Sequence, residues 1–201
     1  MTDTLLFDLF GVIARLQSPA GKHRLVEAAG LDPADSAAFW TAYWERRPGY
    51  DRGDVTGPEY WREVAADLGT AFDDRRTAGL VRADVASWSG VDPEMVALVE
   101  QSAASGRRLG LLSNIPEELA NYCEQQHHWL KHFQVRAFSC RIGRVKPEPD
   151  AYRWCLRALG AEPGRVLFVD DHEENIRAAE AVGLRTHLFT SPERLRTALG
   201  L

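Results

Sequence analysis

Acidic, basic and small polar residues stand at the ends of apolar segments of this 201-residue chain. Asp8 lies inside the apolar run TLLFDLFGVIA, where a charged side chain is costly unless it has a partner or a chemical task. The other candidates are Ser113, Asn114, Lys146, Asp170 and Asp171. Clustered carboxylates raise one another's pKa or bind a cation, and oxygen ligands of this kind suit Mg²⁺. An aspartate can also attack phosphorus and carry a covalent phosphoryl group, whose oxygens a lysine and a serine would hold.

Lys146 lies in a proline-rich turn, and the other candidates lie in apolar segments that have the composition of buried strands. These segments span residues 4–10, 108–114, 136–140, 165–171 and 185–189. Helical patterns separate the later ones, and near-continuous apolar strands that alternate with helices predict an α/β fold with a doubly wound parallel sheet. Ligands of such sheets bind outside the carboxyl ends of the strands. The sequence therefore predicts that the polar candidates converge on one edge of the sheet.

Residues 15–88 carry helical patterns and no convincing strand. They predict a helical cap inserted after the first strand, with a core domain formed by residues 1–14 and 89–201. Phe39, Trp40, Tyr43 and Trp44 are spaced as one apolar face of a helix. These aromatic residues either pack the cap internally or face a pocket between cap and core, where ligands often bind.

Composition excludes several functional classes. The net charge is −5 and the basic residues are scattered, so no basic stripe favours nucleic acid. The apolar stretches are too short to span a membrane, and the N-terminus lacks the basic region of a signal peptide. Three cysteines without a CxxC motif indicate reduced thiols. We therefore expect a cytoplasmic protein that acts on a small molecule, as a monomer or a homodimer.

The order of four motifs resembles that of the haloacid dehalogenase (HAD) superfamily. The motifs are LLFDLFGVI, LGLLSN, GRVKPEPDAY and VLFVDDHEENIRAAEAVG. The resemblance covers the whole predicted core, which would be Rossmann-like, and the inserted helices resemble the small C1-type cap of the family. The last two motifs are especially similar to those of the sugar-phosphate-type phosphatases and of the N-terminal phosphatase domain of soluble epoxide hydrolases.

The resemblance implies a role for each candidate. Asp8 would be the nucleophile, Ser113 with Lys146 would bind the transferred phosphoryl group, and Asn114 would face the substrate. The implied Mg²⁺ ligands are Asp8, the backbone carbonyl of Phe10, Asp171 and, through water or more weakly, Asp170. The implied reaction is Mg²⁺-dependent hydrolysis of a small phosphorylated metabolite through an aspartyl-phosphate intermediate.

Phe10 departs from the family pattern. Most HAD phosphatases carry a second aspartate at this position as general acid and base, and a phenylalanine cannot transfer a proton. The L-2-haloacid dehalogenases carry an aromatic residue here, because a departing halide needs no proton, but they lack the acidic pair that Asp170 and Asp171 provide. A 2-haloacid dehalogenase that uses the same Asp8 nucleophile is therefore one alternative. A catalytically weak protein that binds a metabolite or a partner is another.

Overall fold

A parallel sheet of five strands forms the centre of the protein, in a computed structural model that describes residues 4–32 and 36–201. The strands are β1 (Thr4–Phe7), β2 (Arg108–Ser113), β3 (Val135–Phe138), β4 (Val166–Asp170) and β5 (Arg185–Leu188). Their order in the sheet is β3-β2-β1-β4-β5, with every pairing parallel. The predicted doubly wound α/β fold is confirmed.

Ten α-helices surround or precede this sheet in the described residues. They are α1 (Pro19–Ala28), α2 (Ser36–Arg52), α3 (Gly57–Asp67), α4 (Asp74–Ser87), α5 (Pro93–Ala104), α6 (Glu117–Gln126), α7 (Ser139–Ile142), α8 (Pro149–Leu159), α9 (Glu173–Ala181) and α10 (Pro192–Leu199). Two short 3₁₀-helices span His128–His132 and Pro163–Arg165. The sequence patterns did not single out α7 or α10. The helical pattern DSAAFWTAYWERR begins at Asp35, which lies outside the described residues, and α2 is described from Ser36.

Apolar residues on successive strand positions cover both faces of the sheet. Leu5 and Phe7 belong to a core cluster that includes residues of α5 and α10, whereas Leu6 belongs to a second cluster with residues of α8 and α9. Because side chains of a strand alternate between faces, burial on both sides explains the apolar runs of the three central strands β1, β2 and β4.

The helices α1 to α4 lie between β1 and α5 in the chain and share a third apolar cluster of their own. Phe39 and Tyr43 are fully buried in this cluster and Trp40 packs against it, so three of the four aromatic residues of the predicted face serve internal packing. Trp44 differs, because 47% of its surface is exposed. None of the helices in the described residues has the length and apolarity that a bilayer crossing requires.

Glu118, in the first turn of α6, connects the inserted helices to the sheet side of the protein. Its Oε2 accepts a hydrogen bond of 2.9 Å from the hydroxyl of Tyr50, and its Oε1 accepts one of 3.0 Å from the amide of Gly57. Hydrogen bonds to a charged carboxylate stabilise the folded protein more than hydrogen bonds to a neutral acceptor do.

We expect Glu118→Gln to lower the free energy of unfolding by about 1–3 kcal/mol, because one of the two donors then faces an NH₂ group. Urea denaturation would measure this change in the free energy of unfolding. Glu124→Gln, on the same helix, removes a carboxylate that pairs with Arg141 and Arg136 nearer the surface, and should cost at most about 1 kcal/mol. Equal losses in the two variants would contradict the connecting role of Glu118.

Candidate active site

The carboxyl ends of three adjacent strands bring three of the predicted site residues, Asp8, Ser113 and Asp170, to one edge of the sheet. Phe7, the last residue of the central strand β1, pairs with Leu111 of β2 and Val169 of β4. Asp8 follows directly, and its amide donates a hydrogen bond of 2.9 Å to the carbonyl of Val169. Ser113 and Asp170 are the last residues of β2 and β4. The parallel register therefore aligns these polar side chains.

Lys146 joins this edge from the loop between α7 and α8. Its ammonium nitrogen lies 2.6 Å from Oδ1 of Asp8 and 2.7 Å from Oδ2 of Asp170, and all three residues are buried. Burial raises the pKa of Asp8 to about 7, against the opposing attraction of Lys146. Burial favours the neutral amine of Lys146, but the two carboxylates outweigh it and raise the pKa of the lysine. The lysine therefore stays charged.

Asn114 holds Lys146 in place through the backbone. Its amide nitrogen donates to the carbonyl of Lys146 and its amide oxygen accepts from the Lys146 amide, each at 2.8 Å. The side chain thus makes a paired contact with a residue 32 positions away. Both polar groups of Asn114 are engaged, which gives it a positioning role, and its predicted contact with substrate stays a prediction.

Asp170 and Asp171 differ in how their oxygens are used. Asp170 accepts from Lys146, from the His172 amide at 2.8 Å and from Asn175 Nδ2 at 2.9 and 3.1 Å, so both of its oxygens have partners. Oδ1 of Asp171 is buried and has no partner among the described residues. Asp171 therefore keeps an available oxygen and Asp170 does not.

Asp8 likewise keeps one oxygen available. Lys146 and the amide of Leu9 both contact Oδ1, the latter at 2.6 Å, and no hydrogen bond in the described part of the chain uses Oδ2. Gly11, with φ of +91°, makes room for Asp171, because a Cβ at position 11 would lie 2.2 Å from Oδ2 of that residue. Sequence reasoning did not single out Gly11, although a glycine between an aromatic residue and Val12 is a signal for a tight turn.

Three carboxylates meet here, those of Asp8, Asp170 and Asp171, with one oxygen of each within 4.8 Å of the others. Together with the ammonium of Lys146 they carry a formal charge of −2 when ionised. Burial raises the pKa of Asp171 and the charge of Asp170 raises it further. The donor set consists of hard oxygen ligands, which fits a small divalent cation such as Mg²⁺.

Ser113 is completely buried at the end of β2, and its hydroxyl has no hydrogen-bond partner among the described residues. An unpartnered buried hydroxyl is uncommon in folded proteins. The hydroxyl is therefore not used within the fold, and the phosphate contact of Ser113 stays a prediction.

A cavity of about 470 Å³ lies beside these residues, between the sheet edge and the inserted helices. Asp8, Phe10, Asn114 and Lys146 belong to its lining, whereas Ser113, Asp170 and Asp171 do not. The opposite side is formed by residues of the inserted segment, which are Leu16, Gln17, Lys22, Trp44, Arg47, Asp51 and Trp88. Sequence patterns identified only Trp44 among them as a candidate for substrate contact.

Other polar side chains of the neighbouring segments lie outside the cavity lining or at its margin. Arg15 is exposed and Arg52 pairs with Glu148, and neither belongs to the lining. His172 does belong to it, but its side chain is 69% exposed. Asn175, which the fourth motif includes, contributes through its contact with Asp170.

Comparison with known proteins agrees with these features. The profile of the haloacid dehalogenase-like hydrolase family matches residues 2–183. A phosphoglycolate phosphatase from Cereibacter sphaeroides is 32% identical over 144 residues, which are 68% of this chain and 65% of that enzyme. The bifunctional epoxide hydrolase 2 of Rattus norvegicus is 40% identical over 58 residues, 29% of this chain, and the matched part spans only 10% of that protein.

Solved structures share the whole fold at low sequence identity. A HAD family enzyme from Bacteroides thetaiotaomicron superposes with a TM-score of 0.77 at 17% identity and covers 98% of both chains. The L-2-haloacid dehalogenase of Xanthobacter autotrophicus superposes with a TM-score of 0.66 at 17% identity, over 100% of this chain and 83% of that enzyme. The four sequence motifs, the sheet order and the family profile agree, and the chain belongs to the haloacid dehalogenase-like hydrolases.

Proposed function

We propose that this hydrolase removes the phosphoryl group from a small phosphorylated metabolite in a Mg²⁺-dependent reaction. The observation that carries the proposal is the excess of three clustered carboxylates over the single ammonium of Lys146. A cluster that carries a formal charge of −2, with the nucleophile Asp8 included, is stable in a largely buried site only with a cation or with bound protons. The phosphatase activity in the name of the Cereibacter relative supports the same reaction class.

The residues that would hold Mg²⁺ are Asp8, Asp171 and the backbone carbonyl of Phe10, with Asp170 reached through water. The unpartnered oxygen of Asp171 and the space left by Gly11 fit this assignment. When bound, the cation supplies positive charge beside the phosphoryl oxygens. A structure of the Bacteroides enzyme contains magnesium and inorganic phosphate, which supports the choice of metal.

The chain's own residues divide the remaining work. Oδ2 of Asp8 attacks phosphorus and forms the new O–P bond while the bond to the leaving oxygen breaks. Lys146 and Ser113 bind the transferred phosphoryl group, which hydrogen-bond donors in a buried site stabilise well. Water then attacks phosphorus, releases phosphate and restores the carboxylate of Asp8. In this proposal residues 15–88 are a cap that excludes bulk water from a core of residues 1–14 and 89–201.

The dehalogenase alternative draws on Phe10 and on the shared fold with L-2-haloacid dehalogenases. Its substrate is a carboxylate that would have to approach a cluster with a formal charge of −2 without a metal. Like charges in a buried site disfavour that approach. The electrostatics therefore favour the phosphatase.

A substrate panel assayed with and without Mg²⁺ distinguishes these reactions. We expect phosphate release from at least one phosphate ester with Mg²⁺, loss of that activity with a chelator, and no halide release from 2-chloropropionate. Release of chloride without metal, with no phosphate from any ester, would contradict the proposal and establish the dehalogenase.

Asp8→Asn should reduce phosphate release about 10³-fold or more, because an amide oxygen is a far weaker nucleophile.

Asp171→Asn should abolish the stabilisation by Mg²⁺ seen in thermal unfolding, which for a bound ion amounts to about 2.7 kcal/mol at a hundredfold excess over Kd. Asp67→Asn is the matched control, because Asp67 pairs with Arg46 on the surface of the inserted helices. If Mg²⁺ stabilised the Asp171 variant as much as the control, the proposed ligand set would be wrong.

Phe10 should make turnover depend steeply on the leaving group, because no side chain at this position supplies a proton. We expect rates to fall as the pKa of the leaving alcohol rises, and Phe10→Asp to raise the rate on poor leaving groups by about 10²-fold or more. Phe10→Leu removes the ring without adding an acid and should give no such gain. A flat dependence in the native enzyme would show that another group donates the proton.

A further inference from the structure

We propose that the leaving group of the substrate is a planar aromatic ring that carries a hydrogen-bond donor. This inference rests on the proposed phosphatase function and concerns the part of the cavity opposite Asp8. Aromatic rings and one unpartnered acceptor, Gln17, form the recognition surface. The backbone carbonyl of Phe10 is a proposed Mg²⁺ ligand, whereas the side chains of Trp44, Trp88 and Gln17 have no part in the proposed phosphoryl transfer.

Three aromatic side chains form one continuous wall of the cavity. Phe10 contacts Trp88 edge to face at 5.1 Å between ring centroids, and Trp88 contacts Trp44 in the same manner at 6.3 Å. Trp88 is 8% exposed, whereas Trp44 keeps 47% of its surface open although it belongs to a helix whose other aromatic residues are buried or partly buried. A half-exposed tryptophan at a cavity offers flat apolar area to a ring.

Of the charged groups that line this side of the cavity, Arg47 and Asp51 are paired with each other, whereas Lys22 lies over the ring of Trp40 at 5.8 Å. Arg47 donates from Nε to Asp51 at 2.7 Å and from Nη1 to Asp84 at 3.0 Å, and it also contacts the hydroxyl of Tyr43. A sugar would need several polar partners for its hydroxyl groups on this side of the cavity. These contacts leave few of them available, which favours an apolar leaving group.

Gln17 is a polar residue of the lining that keeps an unused hydrogen-bond acceptor, and the hydrogen bonds around it fix the orientation of its side-chain amide. The hydroxyl of Ser87 donates to the carbonyl of Asp84 at 2.7 Å, so it must accept from the group that Gln17 presents at 2.7 Å. The hydroxyl of Tyr43, near the same nitrogen, directs its proton to Asp84 as well. The NH₂ group of Gln17 therefore faces Ser87 and Tyr43.

Oε1 of Gln17 is consequently left without a partner among the described residues, although Gln17 is 7% exposed and lines the cavity. A buried acceptor of this kind is normally satisfied, and the missing partner here would be an O–H or N–H of the bound molecule. A ring that carries such a donor meets both the aromatic wall and Gln17.

The nature of position 10 leads to the same class of molecule. Without a side-chain acid, the departing oxygen leaves as an anion, which a phenol with a pKa of about 10 does far more readily than an aliphatic alcohol. The products are an aryl oxide, which takes its proton from water, and the phosphorylated Asp8 that water later hydrolyses. Phe10 thus contributes to the wall and also selects for aromatic esters.

Steady-state kinetics of the Mg²⁺-loaded protein test the inference with four kinds of substrate. Acetyl phosphate has a good leaving group and no ring, phenyl phosphate adds the ring, the three hydroxyphenyl phosphates add a donor, and cyclohexyl phosphate keeps the size without planarity. We expect kcat/KM for phenyl phosphate to exceed that for cyclohexyl phosphate. At least one hydroxyphenyl isomer should have a KM about three- to tenfold lower than phenyl phosphate.

Variants assign these effects to residues. Trp44→Leu should lower the ratio of kcat/KM for phenyl phosphate over acetyl phosphate about five- to tenfold. Trp154→Leu is the matched control, because Trp154 packs against the opposite core cluster and should leave that ratio unchanged. Gln17→Met should remove the KM advantage of the hydroxyphenyl ester over phenyl phosphate.

The outcomes separate this inference from the proposed function. One outcome would overturn the inference and leave the phosphatase proposal intact. In that outcome the protein hydrolyses acetyl phosphate, and its kcat/KM for cyclohexyl or sugar phosphates equals that for the aryl esters. Equal effects of Trp44→Leu and Trp154→Leu on the ratio would do the same. No phosphate from acetyl phosphate or from any ester would overturn the proposed function and, with it, this inference.

Discussion

The ammonium of Lys146 between two buried carboxylates is the interaction on which the site depends. Asp8 and Asp170 extend from neighbouring strands of a parallel sheet, so the register that builds the fold also forces two negative charges together. A buried pair of this kind requires a cation at hydrogen-bonding distance. Asn114 fixes the backbone of Lys146 and Asn175 fixes Asp170, so the lysine and its partner have little freedom to separate.

The same interaction decides what the other carboxylate oxygens are free to do. Because Lys146 and the Leu9 amide both occupy Oδ1 of Asp8, Oδ2 is the oxygen left without a partner in the described residues, and on the proposed function it is the oxygen that attacks phosphorus. Asp170 has its two oxygens saturated, and the unpartnered oxygen of Asp171 is the one that can still accept a ligand. Two adjacent residues with the same side chain therefore have different environments, because one faces the lysine and the other faces the space that Gly11 leaves.

Sequence reasoning was most successful where a physical rule maps directly onto residue order. A strand buried on both faces must be apolar throughout, so segments such as VLFV in β4 were recognisable, and ligand residues had to follow them. Strand ends were less accurate, because β1 ends at Phe7 rather than at residue 10. The turn at Gly11 depends on how the chain leaves the sheet, which an apolar pattern does not encode.

The contacts of Gln17 and Asn114 illustrate what residue order does not encode. Asn114 faces the backbone of a residue 32 positions later, and Gln17 bonds to Ser87, 70 positions later. Both contacts follow from how separate segments pack, so a sequence pattern limited to neighbours along one helix or strand does not reveal them. A polar residue in a turn has many possible partners, and only the assembled fold selects one of them.

Phe10 connects the chemistry of the site with the shape of the cavity. Its backbone stays beside Asp8, while its ring packs on Trp88 and joins the wall that Trp44 continues. On the proposed function, a phenylalanine in place of the second aspartate of most HAD phosphatases therefore removes a proton donor and adds apolar surface beside the reacting atoms. These two effects are not independent. A site without an acid turns over only substrates whose leaving group departs as an anion, and an aromatic ring stabilises that anion by delocalisation. The surface that an aromatic leaving group needs for binding is the surface that the same phenylalanine helps to build.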